Sequence, residues 1–321
     1  MIKRLIFVFA ILLFGCAQGP QTPNEEEEIV METRTPTPVS EEFKVVAYVT
    51  TNVIAETIPY EKLTHINYSF LIPNDDGTFA RLINGWKLKN IVEEAHKHDV
   101  QVLISVGGWG WDKEFEMMAA DDATRATFVA NLKDIVDEYG LDGADVDWEY
   151  PKAGESAENY LKLMQEIDAA MPDKLITTAV VSHGSNAEGV PDETFEIFDF
   201  VNVMTYDDVN HGSMEQFDTG LNYWLERGLS PHKLVIGLPF YSRPGGIPYS
   251  KIVEQDPEAA FLDLVNPNGT EEKYNGIPTI QRKTERALDE VGGVMFWTLD
   301  YDASGELSLL GVIDQLVRSE K

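Results

Sequence analysis

The chain has 321 residues, with 55 Asp and Glu against 25 Lys and Arg, a net charge of −30 and a pI near 4.4. That balance excludes a nucleic-acid binder, which needs a basic footprint, and disfavours anionic membrane surfaces; it suits a neutral or cationic partner. Hydrophobic residues make up 43% of the chain, enough for a large core, and the one cysteine leaves no intramolecular disulfide and no Cys-based metal cluster.

In chain order, Lys3 and Arg4 precede a ten-residue apolar run, Leu5 to Phe14, too short to span a bilayer as a helix. The following Leu13-Phe14-Gly15-Cys16 resembles a bacterial lipoprotein processing site, in which the cysteine becomes the first residue and carries the lipid. Residues 1–16 are therefore expected to be a signal peptide. The implied product is an exported lipoprotein, held at an outer membrane on its periplasmic or cell-surface face only through a lipid on Cys16. Residues 17–42 contain four prolines and the run Glu25 to Glu28, with little to bury, and predict a disordered tether. Residues 43–319 show no second break of that kind and predict one domain.

Within that domain short apolar runs alternate with amphipathic stretches. Strands are predicted at Lys44 to Thr50, His65 to Leu71, Val100 to Val106, Gly143 to Glu149, Leu175 to Ser182, Phe200 to Tyr206, Leu234 to Phe240 and Val294 to Trp297. Helices are predicted at Leu88 to His98, Ala123 to Tyr139, Glu158 to Ala170, Met214 to Arg227, Thr279 to Glu290 and Leu309 to Arg318, where apolar residues recur every three or four positions. Near-continuous Val/Ile/Leu strands are the pattern of a sheet covered on both faces, and eight of them alternating with helices point to an α/β fold, a (β/α)8 TIM barrel. An open doubly wound sheet is the alternative, but no Gly-rich phosphate loop follows the first strand. Trp86 and Trp224 fall in helical patterns and are expected in the core. Only about 50 residues separate Tyr241 from Val294, too few for an added α+β domain beside the helix they contain.

Barrel enzymes carry their chemistry at the carboxyl ends of the strands. Here those ends bear Tyr48, Tyr68 and Phe70, then Ser105-Val106-Gly107-Gly108-Trp109, then Tyr206 and Asp207, then Tyr241 and Trp297. Aromatic platforms with carboxylates between them suit a carbohydrate, whose rings have apolar faces and hydroxyl edges. Trp109, Trp111 and Tyr241 read equally well as sugar contacts or as packing. The fourth strand is the strongest signal: Asp145, Asp147 and Glu149 alternate onto one face, stepping up the barrel about 6.6 Å at a time. Three carboxylates so close cannot all ionise cheaply, so a proton should be retained, and Glu149 nearest the mouth is placed to use it as a general acid. The six histidines show no metal spacing, and Asp300-x-Asp302-x-Ser304-Gly305 reads as a turn because Gly311 stands where a calcium loop needs its bidentate Glu.

Asp142-x-x-Asp145-x-Asp147-x-Glu149 resembles the signature of glycoside hydrolase family 18, the chitinases and related endo-β-N-acetylglucosaminidases. Trp148 and Tyr150-Pro151, Ser105-x-Gly107-Gly108, Met204-x-Tyr206-Asp207, Gly237-Leu238-Pro239-Phe240-Tyr241 and Trp297 extend the resemblance from about Val45 to Leu310. It implies retaining, substrate-assisted hydrolysis of a β-1,4-linked N-acetylglucosamine chain by a monomer without cofactor or metal. Glu149 would be the acid. Asp147 and Tyr206 would hold the substrate acetamide, and Asp207 would contact the same sugar. Tyr48 and Ser105 would support Asp145, which would share a proton or hydrogen bond with Asp147. Trp297 would floor the reacting subsite. Missing an α+β insertion, the cleft would be open and endo-acting on chitin or chitooligosaccharides. Cleavage of N-glycan cores by the same chemistry is the alternative, and a non-catalytic glycan-binding barrel is a further one.

Overall fold

The computed structural model describes residues 43–320. The expected signal peptide, Cys16 and the acidic tether lie outside the described residues. Seven strands follow one another around a closed barrel: β1 (Lys44–Thr50), β2 (His65–Leu71), β3 (Gln101–Gly107), β4 (Gly143–Asp147), β5 (Leu175–Val181), β6 (Phe200–Met204) and β7 (Leu234–Pro239). After an antiparallel ribbon of β8 (Leu264–Val265) and β9 (Glu272–Lys273), β10 (Gly293–Trp297) fits between β7 and β1 and closes the ring. The barrel pairs are parallel throughout. The expected (β/α)8 barrel is therefore present.

Alternation along the strands sorts side chains into two cores. On β1, Val45, Ala47 and Val49 face the helices, while Val46 and Tyr48 face the lumen. On β10, Val294 and Phe296 face out, and Met295 and Trp297 face in. The outer core is large and aliphatic. The lumen core is small: Phe200 packs edge-on against His65 at its lower end, and Tyr48, Tyr206 and Tyr241 make its upper end aromatic.

The helices are α1 (Gly85–His96), α2 (Asp112–Ala120), α3 (Asp122–Tyr139), α4 (Glu155–Ala170), α5 (Met214–Glu226), α6 (Tyr249–Gln255), α7 (Ile277–Glu290) and α8 (Leu309–Ser319). Periodicity does not reveal α2 and α6 because neither is long enough to repeat its apolar face; α2 buries only Phe115, Met118 and Ala119. Asp121 accepts from Ala123 N and Thr124 N and so separates α2 from α3, which ends at Gly140 in a left-handed conformation, φ 66°. Trp224 is buried and donates from Nε1 to Val181 O at 3.0 Å. Trp86 corrects expectation: it is 64% exposed. The buried stripe of α1 is Leu88, Ile91, Val92 and Ala95, and Trp86 in the first turn lies off it. Between Pro239 and Gly293 the chain forms α6, the ribbon and α7 and makes no α+β domain.

The Asp300–Gly305 segment is a turn that starts α8. The half-buried Asp302 carboxylate accepts from Ala303 N (2.8 Å), Ser308 Oγ (2.7 Å), Leu309 N (2.8 Å) and Leu310 N (3.1 Å), so both its oxygens are spent on the turn. Ser308 then caps the helix by accepting from Gly311 N at 2.9 Å. Replacing Asp302 with Ala strands three part-buried N–H groups. It should cost about 2 kcal/mol, read as a lower urea midpoint at unchanged m-value.

Candidate active site

Barrel register brings the lowest acid its partners. Ser105 on β3, Asp145 on β4 and Thr177 on β5 lie directly across from one another, so their side chains enter the lumen in one layer. Asp145 is fully buried. Its Oδ2 accepts from Tyr48 OH and Ser105 Oγ, both at 2.8 Å, and its Oδ1 from Thr177 Oγ1 at 2.6 Å and Asn202 Nδ2 at 3.2 Å. Burial pushes the carboxyl up, and the four donors pull it back. The hydrogen bond expected between Asp145 and Asp147 is replaced by these four, because both Asp145 oxygens are already doubly engaged.

Asp147 ends β4 one layer higher. It is buried, and its Oδ1 has no hydrogen-bond partner among the described residues. Burial, then the Glu149 and Asp145 charges, push its carboxyl well up. The strand stops here rather than at Glu149, so Glu149 projects from the turn above the barrel. The intervening Trp148 is buried against the helices, stacked on Phe115 at 5.0 Å and 8° and tilted against Tyr160. Burial raises the Glu149 carboxyl to about 7; the neighbouring Tyr150 hydroxyl opposes that shift and the Asp207 charge adds to it. Such a group holds a proton at neutral pH and can release it, which is what an acid–base catalyst requires.

Opposite these acids stand the ends of β6 and β7. Tyr206 is buried, and burial holds its phenol far above the usual range, so it remains a donor. Among the described residues its one acceptor is the soft Met295 Sδ at 3.7 Å, a weak bond that a better acceptor would displace. Asp207 sits in the left-handed region, φ 65°, and its Oδ1 accepts from Tyr241 OH at 2.5 Å and from Arg243 Nε at 2.6 Å. Trp297 closes the floor, stacked on Phe70 (5.3 Å, 16°) and tilted against Tyr48 (5.9 Å). Trp109 is 78% exposed on the rim, 6.4 Å from the Tyr150 ring, whereas Trp111 packs onto the outer core. Gly107 and Gly108 do more than turn the chain. Both have positive φ, and a Cβ would come within 2.4 Å of Asp147 O at the first and 2.7 Å of the Phe70 ring at the second. The third loop can therefore lie against the end of β4.

The profile of the glycosyl hydrolases family 18 matches residues 44–302, the whole barrel up to the turn before α8. This chain belongs to glycosyl hydrolases family 18. Among solved structures, a chitinase from Bacteroides thetaiotaomicron superposes with a TM-score of 0.78 at 30% identity, covering 87% of this chain and 98% of that one. A family 18 chitinase from the chitin utilization locus of Flavobacterium johnsoniae superposes at 0.77 and 25% identity, covering 88% and 96%. Among curated sequences, an endochitinase of Manduca sexta is 29% identical over 230 residues, 59% of this chain and 41% of that protein. The first curated relatives are longer: the match spans 15%, 36% and 41% of their lengths.

Within this family 18 barrel, pairwise contacts link the residues singled out from sequence: Tyr48 and Ser105 bond Asp145, the Asp145 and Glu149 charges act on Asp147, Tyr48 and Phe70 pack on Trp297, Tyr241 bonds Asp207 and packs on Tyr206, and Trp109 lies beside Tyr150. Asp142, the first acid of the signature, does not join them. It precedes β4 at the opposite end of the barrel, where Oδ2 accepts Val102 N at 2.7 Å and lies 2.9 Å from His96 Nε2. Sequence reasoning missed Thr177, Asn202, Arg243 and His211. Thr177 and Asn202 stand inside apolar strand runs, where a polar residue facing a lumen is the one available signal; Arg243 and His211 lie in loops and carry none. Among the described residues, no three His, Cys, Asp or Glu side chains gather as metal ligands.

Proposed function

We propose that this family 18 protein hydrolyses β-1,4-linked N-acetylglucosamine chains, chitin or chitooligosaccharides, with retention and by substrate assistance. The observation that carries this is the buried, unpartnered Oδ1 of Asp147, between an Asp145 saturated with donors and a Glu149 whose proton is held to about pH 7. A buried acceptor without a partner costs about 1–3 kcal/mol, which a substrate amide N–H in that layer would recover. A sugar bearing an acetamide supplies such a donor next to its reacting carbon.

In the proposed reaction Glu149 gives its proton to the glycosidic oxygen as the bond to the anomeric carbon breaks. The acetamide carbonyl oxygen forms the new bond to that carbon, and no enzyme nucleophile is used, a departure from the two-carboxylate scheme. Asp147 accepts the amide N–H and offsets the positive charge that develops on the oxazolinium ring; Tyr206 donates to the acetamide oxygen and aims it. Asp207 contacts the same sugar, and Trp297 supports its apolar face. Water then adds to the anomeric carbon with Glu149 as base, restoring the acetamide. The proton and the nucleophile come from enzyme and substrate, so no cofactor enters. Relatives bear the name endochitinase, which supports internal cleavage. We further propose that Cys16 carries a lipid that tethers the exported protein to a membrane.

The purified chain without residues 1–42 should cleave chitotetraose and leave cellotetraose and a high-mannose glycopeptide intact. Equal cleavage of cellotetraose would remove the substrate-assisted route, and cleavage of the glycopeptide alone would move the substrate to N-glycan cores. Glu149→Gln should lower kcat by about a thousandfold with oligosaccharide binding retained. The wild-type kcat should fall as pH rises through about 7, because the acid must be protonated. Near-normal turnover in the variant would assign the acid elsewhere. Expressed at full length, Cys16→Ser should move the protein from the membrane to the soluble fraction; unchanged membrane association would rule out the lipid.

A further inference from the structure

His211 lies four residues beyond Asp207 in the loop between β6 and α5 and is buried. Its Nδ1 is 3.1 Å from Asp207 N, and its Nε2 is 3.0 Å from Tyr241 O. A backbone N–H only donates and a carbonyl only accepts, so the geometry specifies a neutral imidazole with its hydrogen on Nε2. The ring also stands edge-on to Tyr241 at 4.9 Å. A closed loop of bonds results. His211 ties the backbones of Asp207 and Tyr241, from the ends of two strands, and Tyr241 OH returns the connection to the Asp207 carboxylate.

The loop behind His211 is itself held from two helices. Gly212 N donates to Gln216 Oε1 at 3.0 Å, and Gln216 Nε2 donates to Tyr206 O at 2.9 Å. Gly212 O accepts from Asn275 Nδ2 at 2.8 Å and from Lys283 Nζ on α7 at 2.7 Å; Lys283 is fully buried and also donates to Asn275 Oδ1 at 2.8 Å. The imidazole cannot swing away without breaking this set. The loop needs holding because Asp207 occupies a backbone conformation that costs a non-glycine residue about 1 kcal/mol or more.

We propose that His211 is a positioning residue, a neutral imidazole that locks Asp207 and Tyr241 beside the acetamide subsite and releases them when Nδ1 gains a proton. This rests on the functional reading above for what the subsite binds. A proton on Nδ1 would replace the acceptor with an N–H pointing at the Asp207 N–H. The groups facing the ring are the Asp207 carboxylate 3.7 Å from Nδ1, the Arg243 guanidinium on that same carboxylate, Lys283 behind Gly212, and the uncharged Tyr241, Gln216 and Asn275. Burial, with Arg243 and Lys283, lowers the pKa of His211, while the Tyr241 carbonyl and the Asp207 charge oppose the shift. The sign follows: the folded state prefers the neutral ring, so the lock is complete at neutral pH and is lost as pH falls through the lowered pKa.

The test compares the full catalytic chain with His211→Asn and His211→Phe on chitotetraose across pH. Asparagine offers Oδ1 to Asp207 N and cannot titrate; phenylalanine offers nothing. His211→Phe should lose about 30-fold in kcat/KM at neutral pH, and His211→Asn should recover most of that. The kcat/KM of His211→Asn relative to wild type should rise about threefold or more as pH falls from neutral through the lowered pKa of His211. A flat ratio, or a His211→Phe within about twofold of wild type, overturns the lock. The ring 15N shifts of wild type should report a bare Nδ1 at neutral pH, whatever the substrate, and a protonated Nδ1 overturns the proposal. Wild type inactive on every chitooligosaccharide would instead overturn the functional reading, and the ring shifts would still decide the lock. If His211→Phe does not fold, the asparagine ratio and the ring shifts decide.

Discussion

A single buried carboxylate organises this molecule. Asp145 is fully buried in the barrel lumen, and an ion there is tolerated only when its lone pairs are filled. Four donors fill them, each from a different strand: Tyr48 on β1, Ser105 on β3, Thr177 on β5 and Asn202 on β6. Half the barrel is thereby tied to one point by polar bonds, inside a fold otherwise held by apolar packing between strands and helices. The layer above inherits the consequence. Asp147 cannot use Asp145 as a partner, faces its charge from below, and is left with an oxygen to offer upward.

The rest of the cleft divides the work between its two sides. The β3–β4 side is made close by glycine. Gly107 and Gly108 let the third loop lie on the end of β4, and the turn after β4 can then raise Glu149 above the barrel while Trp148 anchors the step in the outer core. The β6–β7 side is made rigid by hydrogen bonds. Tyr206 and Asp207 ride a loop whose backbone is fastened by His211, Gln216 and Lys283. An acid whose proton is held near neutrality faces a phenol whose proton is held beyond reach, the separation of protonation states that acid–base chemistry at one site requires.

Much of this was legible in the residues. The eight strands are short and apolar, and amphipathic helices separate all but β1 from β2 and β5 from β6, which short 3-10 turns connect; each of those properties is carried by neighbouring residues, so barrel and strand order follow from local pattern. The row of acids on β4 is likewise local, because alternation puts every second residue on one face. Its end differs: the period-two pattern runs on through Glu149, but pairing stops at Asp147, and a pattern cannot reveal where a partner strand ends. Trp86 was misjudged for a related reason, since helical spacing shows which residues share a face but one residue at the first turn can fall outside it.

What the sequence by itself determined is the fold class, the row of acids and the family to which they belong, because these reside in residues close together along the chain. The partners of that row were decided only by the tertiary structure. Thr177, Asn202, His211, Arg243 and Lys283 are dispersed along the chain, and each acquires its role through register and loop packing. Hydrogen bonds depend on where atoms meet in space, and closure of the barrel brings those atoms together.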